Sequence, residues 1–183
     1  MPLLYVRNER VLDNKTGEKT KNWKPLIEGL KQLYVIDVGG LLENKPSLEL
    51  YQRMCEFASL WIDSGPRSFE DVMDTVVAGA EKITIQKNLF KDDSSQLFDA
   101  MEREMYSGLE LQDVVNGLWN DDSKWTGFVV YVHTEMSFKE KDCLVAVAKK
   151  MPLYLVAKEQ GFIDREWVEE LGVKGIIYPL GEE

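Results

Sequence analysis

The chain has 183 residues, with 22 Lys or Arg against 32 Asp or Glu, so its formal charge at neutral pH is −10. This length suits one domain of roughly 100–200 residues with a sizeable core. An acidic chain repels polyanions, which argues against nonspecific binding to nucleic acid or to anionic membranes. One His and two Cys exclude a zinc cluster built from these residue types, and we expect no metal and no cofactor.

Cysteine usage and the N-terminal segment indicate a cytoplasmic protein. Cys55 and Cys143 are far apart in the sequence, which is typical of free thiols in a reducing compartment rather than of a disulfide framework. Met1 to Arg7 lack the basic lead and apolar stretch of a secretory signal. No apolar run approaches the roughly 20 residues that a membrane-spanning helix needs.

Eight short apolar runs, rich in β-branched and aromatic residues, predict eight strands. From the second run onward they start roughly 20–27 residues apart, which is the pitch of a strand, a short helix and two loops. The runs are continuous rather than alternating, as in strands that are covered on both faces. The predicted strands are Leu3–Val6, Leu33–Ile36, Leu60–Ile62, Ile83–Ile85, Ser107–Leu111, Phe128–Val132, Leu153–Val156 and Gly175–Tyr178.

Helical periodicity between the strands predicts helices at Leu48–Phe57, Phe69–Ala80, Phe138–Lys150 and Asp164–Leu171. Ser68 is the predicted N-cap of the second helix, with Asp71 three residues on. The connection from Asp113 to Trp125 has room for barely one helical turn. After Tyr178 the sequence has no further helix.

Strands that alternate with helices predict a (β/α)8 TIM barrel or, alternatively, an open doubly wound α/β sheet. Because barrels typically need about 250 residues, this one would be compact, with shortened or missing helices. The sequence contains no G-x-G-x-x-G or Walker-type loop, which weakens the open-sheet alternative. We predict one domain over residues 1–183, and a homo-oligomer because missing helices leave apolar surface uncovered.

Two segments resemble the histidine-biosynthesis (β/α)8-barrel family. The first is Leu33 to Val38, where Asp37 follows an apolar strand; the second is Leu60 to Val72, which leads into Ala78-Gly79-Ala80 before the fourth strand. The family includes the phosphoribosyl-formimino ribotide isomerase, the glycerol-phosphate synthase cyclase and their archaeal relatives. The resemblance covers roughly residues 33–90 and implies an aldose–ketose isomerisation by two acids facing each other across the barrel mouth.

The resemblance also assigns the acid positions. Glu110 takes the place of the family's acid on the fifth strand, one methylene longer. Tyr5 takes the place of the family's aspartate on the first strand, where a phenol with an ordinary pKa near 10 is a poor general acid or base.

Phosphate binding is implied in the same way. Ser64, Gly65 and Arg67 correspond to the family's first phosphate-binding turn, and Lys87 after the fourth strand adds positive charge. The second phosphate-binding turn is replaced by Lys158–Gly161, and strand eight ends in Pro179, which has no N–H. The expected ligand is therefore a small metabolite with one phosphate.

Further candidates follow predicted strands. Asp37 has three possible roles, which are catalysis, metal binding and capping of a turn, and capping is favoured. The same alternatives apply to Asp63. With Glu110 these carboxylates form a hard-cation site if their oxygens converge. His133, followed by Thr134 at the end of the sixth strand, can carry protons near neutral pH, although a structural role is an alternative.

Two functions are compatible with these residues. In the first, the barrel is isomerase-like, and Glu110, Asp37 and His133 transfer protons on a phosphorylated sugar-type ligand. In the second, the barrel is a non-catalytic binding or scaffold protein that has lost the acid/base pair and the second phosphate site.

Overall fold

The computed structural model describes residues 1–20, 22–120, 124–157, 163 and 165–180. Its strands are β1 (Pro2–Val6), β2 (Val11–Leu12), β3 (Lys19–Thr20), β4 (Gln32–Asp37), β5 (Ser59–Asp63), β6 (Ala80–Gln86), β7 (Glu104–Glu110), β8 (Gly127–Val132), β9 (Leu153–Ala157) and β10 (Gly175–Pro179). Its helices are α1 (Lys24–Ile27), α2 (Val38–Glu43), α3 (Leu48–Met54), α4 (Phe69–Val77), α5 (Ser95–Ala100), α6 (Leu111–Val115), α7 (Phe138–Ala148) and α8 (Arg165–Leu171).

Eight parallel strands form a closed barrel in the order β1, β4, β5, β6, β7, β8, β9, β10. The ring closes where β10 pairs with β1, which aligns Pro2 with Tyr178 and Leu3 with Pro179. The predicted compact barrel is therefore confirmed, and the open-sheet alternative is wrong. All eight predicted strands are present within three residues of their expected bounds.

The helices are short, as the length of the chain implies. Helices α3, α4, α7 and α8 lie where helical periodicity predicts them, and Ser68 and Asp71 form the expected capping box of α4. Helices α1, α2 and α5 were not predicted, since four to six residues are too few to show a repeating apolar face.

Side chains that alternate along the strands divide the core in two. Inward-facing residues fill the barrel around Trp61, whose ring centroid lies 4.1 Å from that of Tyr106, 5.3 Å from Tyr34 and 4.8 Å from Tyr154. Outward-facing apolar side chains, aliphatic and aromatic, pack under the helices in a second and larger cluster. The barrel is thus a packed core whose open space lies above it.

A hairpin and one helical turn replace the first helix of the barrel. Strand β2 runs antiparallel to β1 after a two-residue turn, Asn8–Glu9, and both residues have a positive φ, 52° and 59°. The sequence analysis did not predict this hairpin. Trp23 beside α1 then packs edge-on against Phe57, at 6.0 Å between ring centroids, and covers the outer face of the sheet.

The outer flank of β10 is only partly covered. Ile176 and Tyr178 remain partly exposed and, with Val168 and Val173, line a groove of about 400 Å³. Such a flank is what the expected homo-oligomer would cover, and the homo-oligomer stays a prediction. Among the described helices, none combines the length and the apolar character needed to cross a bilayer.

The start of α2 packs directly on the turn that follows β5. Gly40 lies so close to this turn that a Cβ atom built on it would be 2.2 Å from the backbone oxygen of Ser64. Only glycine allows this approach, which fixes the relative position of two turns at the carboxyl ends of neighbouring strands.

We therefore expect Gly40→Ala to lower the free energy of unfolding by about 2 kcal/mol or more, because the backbone must move to admit a methyl group. Urea denaturation measures this change. Gly175→Ala is the matched control, since its Cβ would lie 3.4 Å from the nearest atom, an ordinary contact. Equal loss in both variants would show that the Gly40 contact is not tight in solution.

Candidate active site

A cavity of about 1080 Å³ lies at the carboxyl ends of the barrel strands. This is the end of the fold at which enzymes of this architecture carry their active sites. Its walls come from several strands, from α2 and from the β2–β3 hairpin. The lining residues are Tyr5, Asn14, Lys15, Ile36, Val38, Leu41, Leu42, Gln86, Asn88, Leu89, Glu110, Tyr131, His133, Val156 and Pro179.

Glu110 and His133 form a carboxylate–imidazole pair in this cavity. Glu110 ends β7 and His133 follows β8, and these strands are hydrogen-bonded neighbours. His133 Nε2 lies 3.2 Å from Glu110 Oε2, with side-chain exposures of 60% and 46%. The imidazole ring is nearly parallel to the ring of Tyr131, at an angle of 16°. The structure therefore brings together two of the residues that the sequence analysis proposed for proton transfer.

Asp63 lies buried beneath the cavity. Its carboxylate accepts a hydrogen bond from the Tyr131 hydroxyl and from Gln86 Nε2 at 2.7 Å, and both donors line the cavity. Burial raises the pKa of Asp63 to about 6, although the hydrogen bonds from Tyr131, Gln86 and the Gly65 amide oppose this rise. Asp63 thus holds two floor residues of the cavity without lining it.

A chain of hydrogen bonds continues from Asp63 into the barrel interior. The hydroxyl of Tyr131 lies 2.9 Å from that of Tyr34, Tyr34 lies 2.8 Å from Thr84 Oγ1, and Trp61 Nε1 donates to Thr84 Oγ1 at 2.9 Å. Indole can only donate and an ionised carboxylate can only accept. Each hydroxyl between them therefore donates toward Asp63. Burial raises the pKa of Tyr34 and of Tyr131 well above 10, so both phenols keep their protons.

Gln86 is held from a second side by Gly108. A Cβ atom on Gly108 would lie 2.8–2.9 Å from the amide atoms of Gln86. The amide lies flat against the backbone of β7 while its nitrogen donates to Asp63. Sequence reasoning missed Gln86. It lies two residues after the inward-facing Thr84, and because alternate side chains of a strand face the same side, this spacing predicts that Gln86 also faces inward.

Asp37 lies outside the cavity lining. It is the N-cap of α2, and its carboxylate accepts from the amides of Gly39 at 2.8 Å, Gly40 at 3.0 Å and Ser47 at 2.6 Å, and from the Tyr51 hydroxyl. These contacts turn the carboxylate away from the mouth. Asp37 therefore does not join Glu110 and His133, and it takes the capping role that the sequence analysis favoured.

The residues predicted to bind phosphate also lie outside the lining. The Arg67 guanidinium donates to the backbone oxygens of Gly40, Leu41 and Gly65 at 2.8–3.0 Å and to Asn44 Oδ1 at 2.9 Å. Arg67 thereby clamps α2 to the turn after β5.

The other predicted phosphate ligands have internal partners as well. The Ser64 hydroxyl lies 3.1 Å from Thr75 Oγ1, the Gly65 amide donates to Asp63 at 3.3 Å, and Lys87 Nζ donates to the backbone oxygen of Leu118 at 2.9 Å. Lys158–Gly161, which the sequence analysis connected with a second phosphate, lie outside the described residues.

The remaining candidates divide between mouth and surface. Tyr5 lines the cavity from β1, whereas Thr134 is exposed and does not line it. Asp37, Asp63 and Glu110 occupy separate places, and the described ranges contain no group of three acidic, His or Cys side chains arranged to hold a metal ion.

The hairpin and the leucines of the mouth are functional candidates that sequence reasoning missed. Asn14 and Lys15 reach the cavity because Asp13 Oδ1 accepts from the amides of Lys15 and Thr16, which tightens the turn between β2 and β3. The run Asp13-Asn14-Lys15-Thr16-Gly17 is a recognisable turn signal. Nothing in the sequence alone shows that this turn reaches the barrel mouth.

Replacing Asp63 by Asn should change how stability depends on pH. The pKa of Asp63 is about 6 in the folded protein against a reference of 3.8, so the folded state holds the proton more tightly. The protonated Asp63 carboxyl therefore stabilises the folded state at low pH, and the wild type loses about 2 kcal/mol of this stabilisation as pH rises from 4 to 7. Asp63→Asn lacks this loss, and its stability relative to wild type should rise over that interval. Urea denaturation at each pH tests this, with the exposed Asp74→Asn as control; parallel curves for Asp63→Asn and wild type would contradict it.

Arg67→Met should lower the free energy of unfolding by about 2–4 kcal/mol, because several carbonyl oxygens lose a charged donor. Arg67→Lys should recover only part of this, since one ammonium group cannot reach all four acceptors. Thermal unfolding with and without inorganic phosphate separates this role from anion binding. A phosphate-dependent stabilisation that disappears in a normally stable Arg67→Met protein would instead support the phosphate role.

Comparison with solved structures identifies the fold. The chain is similar to phosphoribosyl anthranilate isomerase from Thermococcus kodakaraensis, with a TM-score of 0.63 and 17% identity over 91% of this chain and 87% of the other. It is also similar to thiamine phosphate pyrophosphorylase from Pyrococcus furiosus, with a TM-score of 0.55 and 12% identity over 96% and 84%. The sequence matches no protein-family model and no curated protein. These likenesses support a (β/α)8 barrel, and they do not single out the histidine-biosynthesis family.

Proposed function

We propose that the protein is an isomerase-like enzyme that transfers a proton between adjacent carbons of a small carbonyl metabolite in the mouth cavity. The observation that carries this proposal is the Glu110–His133 pair, with 3.2 Å between Oε2 and Nε2, inside the cavity. The isomerase among the similar structures is compatible with it, although at 17% identity that likeness concerns the fold.

His133 can act as a general base, and the Glu110 carboxylate beside it orients the imidazole ring. An ionised carboxylate only accepts hydrogen bonds, so the hydrogen of the neutral imidazole lies on Nε2 and is donated to Glu110. The other ring nitrogen, Nδ1, then keeps its lone pair. Nδ1 takes a proton from the carbon beside the carbonyl group, and Glu110 stabilises the resulting imidazolium. The proton returns to the former carbonyl carbon, and the hydroxyl proton of the neighbouring carbon passes to the former carbonyl oxygen, which completes an aldose–ketose exchange.

Tyr5 supplies a polar group on the other side of the mouth. Strands β1 and β7 are the first and fifth of the eight strands in the ring, so Tyr5 and Glu110 come from opposite sides. In the proposed reaction the Tyr5 phenol donates a hydrogen bond to the carbonyl oxygen, on which negative charge develops. This role needs no ionisation of the phenol.

A phosphate on the substrate remains part of the proposal, with a changed location. The groups first considered for it have partners inside the protein; they are Ser64, Gly65, Arg67 and Lys87. Lys15 is the one lysine or arginine among the described residues that line the cavity. We therefore assign the anion to the hairpin side of the mouth.

The second candidate is a non-catalytic binding protein. It is favoured by the phenol at position 5, where the resemblance to the histidine-biosynthesis family implies an aspartate on the first strand. Such a protein would bind ligand in the same cavity and would not turn it over.

His133→Asn and Glu110→Gln test the enzymatic proposal against a panel of phosphorylated aldoses and ketoses. We expect turnover to fall by about 10²-fold or more for His133→Asn, because this variant loses the general base. Turnover should fall by a smaller factor for Glu110→Gln, because this variant keeps the base and loses only the carboxylate that orients it. Glu70→Gln, an exposed change on α4, is the control. Equal rates for wild type and Glu110→Gln would remove Glu110 from the reaction, and no turnover by any protein would favour the binding candidate.

A further inference from the structure

Three leucines form part of the apolar lining of the cavity, Leu41 and Leu42 on α2 and Leu89 after β6; we call these three residues the leucine wall. Leu42 is 70% exposed, which is high for a leucine that lines a cavity. Burying an exposed leucine contributes about 1.5–3 kcal/mol. The leucine wall therefore gains most from a ligand with an apolar surface of its own.

The leucine wall also covers the turn that the sequence analysis assigned to phosphate. A Cβ atom on Gly65 would lie 2.8 Å from Cδ2 of Leu41 and 3.0 Å from Cδ1 of Leu89, so both leucines pack against the glycine. The amide of Gly65 donates to Asp63 beneath them. The Gly65 amide is thus engaged with Asp63, and the surface above it consists of leucine carbon atoms.

The charged part of the mouth lies elsewhere in the ring. Lys15 comes from the β2–β3 hairpin, which continues from β1, and Asn14 Nδ2 donates to the backbone oxygen of Leu180 after β10 at 2.9 Å. Lys15 is thereby held in the sector of β10 and β1, whereas the leucine wall belongs to the sector of β4 to β6. Glu110 and His133 lie in a third sector, that of β7 and β8.

We propose that the natural ligand is an amphipathic anion, with an apolar portion against the leucine wall and an acidic group at Lys15. This inference rests on the proposed function, since it places the reacting carbonyl at Glu110 and His133. It narrows the substrate class from a sugar phosphate to a compound in which an apolar portion is joined to a polar, anionic portion. A bare sugar phosphate would leave the leucine wall in contact with water.

The probe for this proposal is 1-anilinonaphthalene-8-sulfonate, which joins apolar rings to one anionic group. Its fluorescence in titrations with the folded protein gives a Kd. Leu42→Asp and Lys15→Glu should each raise this Kd about tenfold or more, the factor expected for losing one buried leucine or one charge contact. Val77→Asp, at another strongly exposed apolar residue, and Lys139→Glu are the matched controls and should stay within about twofold.

Two further measurements locate the probe and test whether the ligand needs an apolar portion. Because His133 is the sole histidine, one imidazole NMR signal reports on the mouth, and it should shift on binding in wild type and in both controls. D-ribose 5-phosphate, an anion without an apolar ring, should bind about tenfold more weakly than the probe. Tighter binding of the sugar phosphate, or equal probe affinity in Leu42→Asp and wild type with unchanged thermal stability, would overturn the inference.

The outcomes separate this inference from the proposed function. Glu110→Gln should bind the probe at least as tightly as wild type, since it removes a negative charge from the mouth. Probe binding of the expected kind without turnover of any substrate leaves the ligand class standing and refutes the enzyme. Turnover that depends on Glu110, together with probe binding insensitive to Leu42 and Lys15, refutes the ligand class alone.

Discussion

The chain of hydrogen bonds from Trp61 to Asp63 is the interaction on which the mouth depends. The Trp61 indole can only donate and the ionised Asp63 carboxylate can only accept. The hydroxyl groups between them, on Thr84, Tyr34 and Tyr131, therefore have one orientation each, and the whole chain has a single hydrogen-bonding pattern. Buried polar groups of this kind are costly unless every member is bonded. The floor of the cavity is consequently preorganised before any ligand arrives.

Shortening the helices reduces the outer cover of the barrel and leaves the site intact. Helices α1 and α2 have only four and six residues, yet both contribute to the structure. Helix α1 lies beside Trp23 over the sheet, and α2 presents Leu41 and Leu42 to the mouth. The clamp formed by Arg67 and the tight contact at Gly40 hold the turns together. Backbone packing between turns thus replaces the contacts that longer helices make in larger barrels.

The sequence predicted the barrel well because its strands are continuous apolar runs with an even pitch. The family resemblance pointed to Glu110 and the end of the sixth strand pointed to His133, and both side chains line the mouth. The sequence did not show the contacts that Arg67 makes with carbonyl oxygens, since a cation beside a glycine turn suits carbonyl oxygens as well as phosphate. It also did not identify Lys15 and Leu42 as lining residues, because their positions depend on how a hairpin and a one-and-a-half-turn helix fold over the ring. Local patterns do not encode such approaches between distant segments.

The two strands that close the ring have consequences for how the barrel assembles. Pro2 and Leu3 of β1 pair with β10, which lies at the far end of the chain, whereas Tyr5 and Val6 pair with β2, only a few residues away. Contacts between distant segments form slowly because a long loop must first be closed. The hairpin therefore shields half of an otherwise open strand edge while the nascent barrel is incomplete, and it lowers the exposure of that edge to pairing with other chains.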